Sequence, residues 1–442
     1  MEQTGVTEAQ SLLIVIVAWI IFPVLQTAPM LLLPVGLNKV GRRANGFLLV
    51  GLTASLYVVI EWIQSWFFTG LTWAKLSLSQ YYDIYTIQSV SLLGTYAVSF
   101  IIVAINAVFA LYLIKADGRE KLAMGAIALY FANAYFGMFR VMTFPEPDST
   151  VKAVVVQGNV SSYNKWEESG VQYSLDRYVE LTDNALEDYD ADIVLWPETA
   201  IPTRVTQSGS LKNTLSDYAE QRGIKLFTGI LYEDKMLATS NAVMPFGERE
   251  NAETPYAKRH LVPFGEYLPA ADVLTKLFPF VTNISLFDDP LTQGTEANLL
   301  TADGVSYGSL VCFDSIFPEL ARISVREGAD IILVVTNDSW FRDSPALYQH
   351  NSQSVLRAVE TGRTVLRAAN TGISSVISPT GEIIARTNAD EQATLTAEAG
   401  IYSGTTPYVL CGDLMLYASG AVIIWAVIVN VKSRKKRNKS AD

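Results

Sequence analysis

The chain is 442 residues long, half of them hydrophobic and only 17% charged, with a formal net charge of −11, two cysteines and two histidines. That length exceeds one small domain and that apolar content exceeds an ordinary soluble protein, so a membrane portion is expected. Two cysteines and two histidines without ligand spacing argue against a zinc site, and basic residues gathered beside apolar stretches argue against nucleic-acid binding.

Four stretches in the first third, near residues 11–34, 47–69, 88–114 and 122–142, each supply the roughly 20 apolar residues that cross a hydrocarbon core. A further stretch runs over residues 409–431. Pro23 and Pro34 would kink or shorten the first. It reads as a retained span rather than a cleaved signal peptide, because the residues before Ser11 carry Glu2 and Glu8 and no lysine or arginine. The expected organisation is an N-terminal membrane domain over residues 1–148, an α/β domain over 149–404, a C-terminal membrane helix over 405–431 and a basic tail over 432–442.

Lys39, Arg42 and Arg43 follow the first span and Lys115, Arg119 and Lys121 the third, whereas the loop after the second carries Lys75 with Asp83. Basic loops stay in the cytoplasm, so the N-terminus and the α/β domain are expected outside. The tail residues Lys432, Arg434, Lys435, Lys436, Arg437 and Lys439 are then expected inside, against lipid headgroups. Glu61 and Gln64 lie within the second span. A carboxylate at that depth is costly and serves either a helix-packing hydrogen bond or the polar wall of a substrate path.

Residues 150–402 alternate strands and helices. A buried strand over 151–157 is followed by helical periodicity over 168–188 and a strand over 192–196 that ends just before Glu198. A helix over 211–222 stops at Gly223 before a strand, and one over 317–327 stops at Gly328 before the strand 331–337. A helix over 345–361 leads into 365–370. This is a mixed α/β domain with helices outside its sheets.

Its chemistry gathers at strand ends. The run Tyr307-Gly-Ser-Leu-Val-Cys312 delivers a thiol to a turn bounded by Pro318. A thiol attacks only as thiolate, so it needs a base or a cation beside it. Histidine is the usual partner, yet His260 and His350 lie in no cysteine-protease signature. Glutamate can replace it where an apolar pocket raises its pKa, and Glu198 follows Leu195-Trp196-Pro197. Lys258 would then stabilise the thiolate and a tetrahedral oxyanion, aided by the backbone N–H after Cys312. Taken singly, a strand-end glutamate is a solvated cap, a lone lysine a surface charge and a free cysteine a small buried hydrophobe. A disulfide from Cys312 to Cys411 would tie this domain to a membrane segment and is not expected.

These residues resemble the nitrilase (carbon–nitrogen hydrolase) superfamily, with Trp196-Pro-Glu198, Lys258 and Cys312 at its Glu-Lys-Cys positions. His260-Leu-Val-Pro-Phe-Gly-Glu266-Tyr, Thr336-Asn337-Asp338-Ser-Trp340-Phe341, Leu366-Arg-Ala-Ala-Asn370-Thr-Gly372 and Gln157-Gly-Asn159 with Trp166 are similar to its membrane-bound branch, the apolipoprotein N-acyltransferases. So are Glu61-Trp62, Trp66-Phe-Phe-Thr-Gly70 and Gly94-Thr-Tyr96 in the membrane part. The resemblance implies a multi-pass α-helical membrane domain joined to an α/β nitrilase-like domain, an αββα sandwich.

It further implies that Glu198 deprotonates Cys312, which takes an acyl chain from a membrane phospholipid as a thioester and passes it to the N-terminal amine of a diacylated lipoprotein. Glu266 would fix Lys258. Trp166, Phe313, Asp314, Asn337, Trp340 and Phe341 would contact substrate or support the triad, and the apolar loop 274–287 would shield the acyl chain or dip into the bilayer. Where the branch commonly has Cys-Tyr-Glu, this chain has Cys312-Phe313-Asp314. The implied setting is a bacterial membrane with the catalytic domain on its outer face, without cofactor or metal. A membrane-anchored amidase, an acyltransferase with another acceptor and a silent scaffold are the competing readings.

Overall fold

The computed structural model describes residues 27–438 except 42–43, 68–69, 71, 207–208, 248–253 and 278–290, together with Leu12, Ile16, Ile20, Pro23 and Val24. The chain separates into one unit of residues 1–144 and 411–442 and another of residues 145–410.

In the first unit, four described helices are long and apolar enough to cross a membrane: Gly46–Gln64, Tyr96–Leu113, Arg119–Met142 and Leu414–Ser433. The first of these starts where the Asn45 side chain accepts the Leu48 amide at 2.9 Å, satisfying one of the amides a helix start leaves open. The stretch expected over 88–114 is interrupted. Gly94 adopts φ +80, a left-handed conformation that ends the short helix Val90–Leu93 before Tyr96 opens the long one. The span expected over 11–34 falls largely outside the described residues, as do Arg42 and Arg43; a shorter apolar helix occupies Ala28–Val40. Glu61 is buried and accepts the Leu76 amide at 2.9 Å, so it anchors the 3-10 turn Leu76–Gln80 by a packing hydrogen bond.

The second unit is built on two sheets. One runs in the order β13-β1-β2-β4-β5-β6, with β3 beside β4, from strands β1 (Ser149–Gln157), β2 (Ile193–Trp196), β3 (Arg204–Thr206), β4 (Lys225–Glu233), β5 (Thr239–Phe246), β6 (Tyr256–Ala257) and β13 (Ala393–Ile401). The other runs β12-β11-β10-β9-β8-β7, from β7 (Leu300–Ala302), β8 (Val305–Val311), β9 (Ile331–Thr336), β10 (Thr364–Ala369), β11 (Ser375–Ile377) and β12 (Ile383–Arg386). Parallel pairing of β1 with β2, β2 with β4, β8 with β9 and β9 with β10 turns the carboxyl ends of the paired strands in each set to one side. Strands buried on both faces read as unbroken apolar runs, which is why 331–335 shows no alternation.

Side chains alternate between two cores. Val155, Leu195, Phe227, Val311, Leu333 and Leu366 fill the space between the sheets. Val154, Val194, Trp196 and Leu226 point outward and pack with residues of helices α1 (Gly170–Asp188) and α2 (Ser210–Arg222), among them Tyr178 and Leu215. Helices α3 (Pro318–Arg326) and α4 (Ala346–Thr361) lie against the second sheet. The layering is an αββα sandwich.

Gln157, at the end of β1, is fully buried. Its amide donates to Asn388 and Glu391 carbonyls at 2.8 and 3.0 Å, and its oxygen accepts from the Ser374 amide and the Ser374 and Thr387 hydroxyls. Gln157→Leu strands these partners at roughly 1–3 kcal/mol per unpaired buried group. A fall of several degrees in the unfolding temperature of detergent-solubilised protein is the expected outcome, and an unchanged temperature would contradict this account.

Candidate active site

Residues just past four strand ends hold left-handed backbone conformations: Asn159 (φ +48), Thr199 (+47), Cys312 (+50) and Asp338 (+57). Non-glycine residues adopt this region rarely, and such strain persists only where the surroundings fix it. Here it turns polar side chains off the ends of β1, β2, β8 and β9.

Glu198 is buried at the end of β2. Its Oε1 accepts from Asn241 Nδ2 at 2.7 Å and lies 3.6 Å from Lys258 Nζ, while its Oε2 accepts the Asn337 amide at 2.8 Å. Lys258 also donates to Glu266 Oε1 at 2.9 Å, and that oxygen accepts a second Asn241 hydrogen at 3.0 Å. The other Glu266 oxygen takes the Val262 amide at 2.8 Å. One ammonium is thus held between two carboxylates, with one amide bridging them. Burial alone would lower the Lys258 pKa, but Glu266 and then Glu198 outweigh it and hold the ammonium above the ordinary lysine range.

Cys312 is half-buried beside this cluster. Burial first, and then the Glu198 carboxylate, push its thiol above the ordinary value, while Lys258 pulls the other way. A thiol flanked by a carboxylate and an ammonium can exchange its proton with the first and have its anion stabilised by the second, which is the chemistry of acyl transfer through a thioester.

A model of the carbon–nitrogen hydrolase family matches residues 152–401, and a model of the apolipoprotein N-acyltransferase N-terminal domain matches residues 6–108. The chain is similar to the apolipoprotein N-acyltransferase of Geobacter metallireducens, at 31% identity over 86% of this chain and 74% of that one. The corresponding protein of Methylococcus capsulatus is 32% identical over 87% of this chain and 74% of its own. The chain belongs to the apolipoprotein N-acyltransferase family. It is an acyltransferase with a nitrilase-like catalytic domain and, by its family and the four long apolar helices among its described residues, a bacterial membrane protein. Among solved structures it is similar to an amidase from Nesterenkonia sp., at 18% identity and a TM-score of 0.43, over 60% of this chain and 92% of that one.

The remaining residues expected at this N-acyltransferase site separate into two groups. Asn337 lies inside it, its backbone amide on Glu198 and its side-chain oxygen on Asn370 at 2.8 Å. Asp314 is fully buried and turned into the protein, where it accepts the Tyr256 hydroxyl at 2.9 Å and the amides of Val311, Arg259 and His260 at 2.7–3.3 Å. It ties the segment carrying Lys258 to the turn carrying Cys312. Phe313 is half-buried, edge-on to Phe317 at 5.2 Å. Trp340 and Trp166 are exposed, and the Phe341 ring stands edge-on to His350 at 5.7 Å. Most of the loop 274–287 lies outside the described residues.

Three partners were not legible in the sequence. Asn241, on β5, joins the two carboxylates. Lys165 is buried and reaches the Glu198 carbonyl at 3.4 Å; burial lowers its amine to about 8, against the opposing pull of Glu198. His350, without a protease signature around it, sits fully buried on α4 behind Cys312. Its Nδ1 is 2.7 Å from Asp338 Oδ1, and Arg367 holds Asp338 Oδ2 at 2.8 Å. Burial works to raise the Asp338 carboxyl, but His350 and Arg367 prevail and keep it below the usual range. Donor atoms of Cys312, Asp338 and His350 lie within 4.8 Å of one another, but Thr336, His350 and Arg367 already occupy the Asp338 oxygens, as in a hydrogen-bonded network rather than an open ligand set.

Gly229 on β4 permits the close approach of Glu198, since a Cβ there would meet Glu198 Cα at 2.5 Å and the Pro197 carbonyl at 2.8 Å. Gly229→Ala is expected to displace the carboxylate and slow covalent modification of Cys312 by about tenfold or more. Timed mass spectra of the modified protein would show it, and a wild-type rate would refute it.

Asp314 supplies a pH test. Burial raises its carboxyl to about 6, against the pull of Lys258 and the surrounding donors. Its folded value lies above the unfolded one, so its contribution to stability is full below about pH 4 and is lost as pH rises through about 6. A shift of this size is worth at most about 3 kcal/mol. Asp314→Asn should flatten that section of the stability-against-pH curve, measured by thermal unfolding from pH 4 to 7; an unaltered slope would contradict the assignment.

Proposed function

We propose that the protein transfers a fatty acyl chain from a membrane phospholipid, through a thioester on Cys312, to the N-terminal amine of a diacylglyceryl-cysteine lipoprotein. The observation that carries this reading is the buried Glu198–Lys258–Glu266 cluster beside a half-buried cysteine. A membrane unit akin to the N-terminal domain of the family adds to it.

In the first half-reaction, Glu198 takes the thiol proton and the sulfur attacks the ester carbonyl carbon. Lys258 and the backbone N–H after Cys312 steady the oxyanion. The C–O bond breaks, and the leaving lysophospholipid oxygen takes the proton back from Glu198. In the second, the acceptor amine attacks the thioester carbon and gives a proton to Glu198. The C–S bond breaks, an amide remains, and the thiolate recovers the proton. Glu266 and Asn241 keep Lys258 and Glu198 in register through both halves. The exposed rings of Trp166 and Trp340 offer apolar contact to the acyl chain. The reading places the catalytic domain on the outer face and the basic tail in the cytoplasm, as the distribution of lysine and arginine suggests.

Intact mass after incubation with phospholipid tests the reading. The expected result is an acyl adduct removed by hydroxylamine, absent in Cys312→Ala and slowed on the order of a hundredfold or more in Glu198→Gln. A diacylated lipopeptide should then discharge the adduct and gain one acyl chain. Adduct discharged by water or another amine would favour the amidase reading, and no adduct would remove Cys312 as the acyl carrier.

A further inference from the structure

The Cys312 backbone is held in its left-handed turn by a second set of groups, away from Lys258. Its carbonyl oxygen accepts the Ser315 hydroxyl at 2.7 Å and lies 3.2 Å from His350 Nε2. Nε2 is also 3.0 Å from Ser315 Oγ. A carbonyl has no hydrogen to offer, and the Ser315 hydrogen points to that carbonyl, so Nε2 is the donor to both oxygens. At the other side of the ring, Nδ1 is 2.7 Å from Asp338 Oδ1. That contact sets the orientation of the ring on Asp338. Arg367 Nη2, 3.1 Å from Nδ1, is directed by its 2.8 Å bond to Asp338 Oδ2. These partners leave Nε2 as the donor toward the Cys312 turn, with the ring fully buried between β9, β10 and the turn that follows β8.

We propose that His350 is a positioning residue for the nucleophile: its Nε2–H, with Ser315, grips the Cys312 carbonyl and fixes the turn that aims the thiol at Glu198 and Lys258. Asp338 orients the ring, and Arg367 and Thr336 orient Asp338. Without the grip, Cys312 relaxes toward the ordinary negative-φ region and the sulfur swings off the line between base and cation. The proposal rests on Cys312 as the acyl carrier, but the geometry it describes belongs to the protein without substrate.

The test measures single-turnover formation of the hydroxylamine-labile adduct over a range of phospholipid concentrations, in wild type, His350→Leu, His350→Gln and Ser315→Ala. Unfolding temperatures and the rate of Cys312 alkylation by iodoacetamide are recorded for each. His350→Leu should lower the maximal acylation rate about a hundredfold with half-saturation unchanged within about twofold, because orientation rather than donor binding is lost. His350→Gln, which keeps an N–H donor, should recover to within about tenfold of wild type, and Ser315→Ala should fall about tenfold while unfolding normally. If His350→Leu fails to fold, the other two variants decide. Wild-type maximal rates in both, equal losses in the glutamine and leucine variants, or losses that only follow the folded fraction would overturn the proposal. A wild-type protein that forms no adduct would instead remove the acyl-carrier reading, while the alkylation rates would still report on the turn.

Discussion

Everything at the site depends on burying one lysine between two glutamates. Removing three charges from water is costly, and their mutual attraction compensates only when the remaining donors and acceptors are also satisfied. The structure meets this condition with neutral groups: Asn241 bridges the carboxylates, and the Asn337 and Val262 amides take their outer oxygens. Loss of one charged partner would leave another uncompensated, at about 3–5 kcal/mol. The cluster is therefore rigid because it is buried. That rigidity lets a carboxylate and an ammonium stand beside a thiol without collapsing onto each other.

The sandwich supplies the convergence. Glu198 and Asn241 come from the first sheet, Cys312, Asn337 and Asp338 from the second, and the apolar layer between Leu195 and Leu333 fixes the distance between them. Because the parallel strands run the same way within each set, residues far apart in the chain emerge together. Glu198 and Asn337 are 139 positions apart yet share a hydrogen bond. Strained backbone at four of these strand ends is the local cost of that meeting, and packing on both sides of each sheet sustains it.

How much of this the sequence revealed depended on range. Strands and helices of the catalytic domain followed from periodicity and from the glycines that end helices at Gly223 and Gly328, because those signals act within one turn. Glu198, Lys258, Cys312 and Glu266 were legible as motif positions. Asn241 was not, since one asparagine within a strand carries no local signal, and its value arises only from two carboxylates 43 and 25 residues away. His350 was set aside for want of a protease signature, because the turn it supports is 38 residues upstream. The break at Gly94 was hidden within an apolar run, where composition dominates and one left-handed residue decides.

The departure at Phe313-Asp314 takes on a different meaning in three dimensions. On the sequence alone, a shortened carboxylate beside the nucleophile suggests altered substrate contact. In the structure Asp314 faces inward, and each of its four partners is a donor from the segment near Lys258 or from β8. Its chemistry is that of an acceptor joining two loops, which either acidic residue can provide if the backbone adjusts by one methylene. The Cys312 turn is thus fastened from two sides, by Asp314 to the lysine segment and by His350 to β9 and α4. Each fastening reaches backbone atoms, the Cys312 carbonyl in one case and the Val311, Arg259 and His260 amides in the other, so together they constrain where the sulfur points.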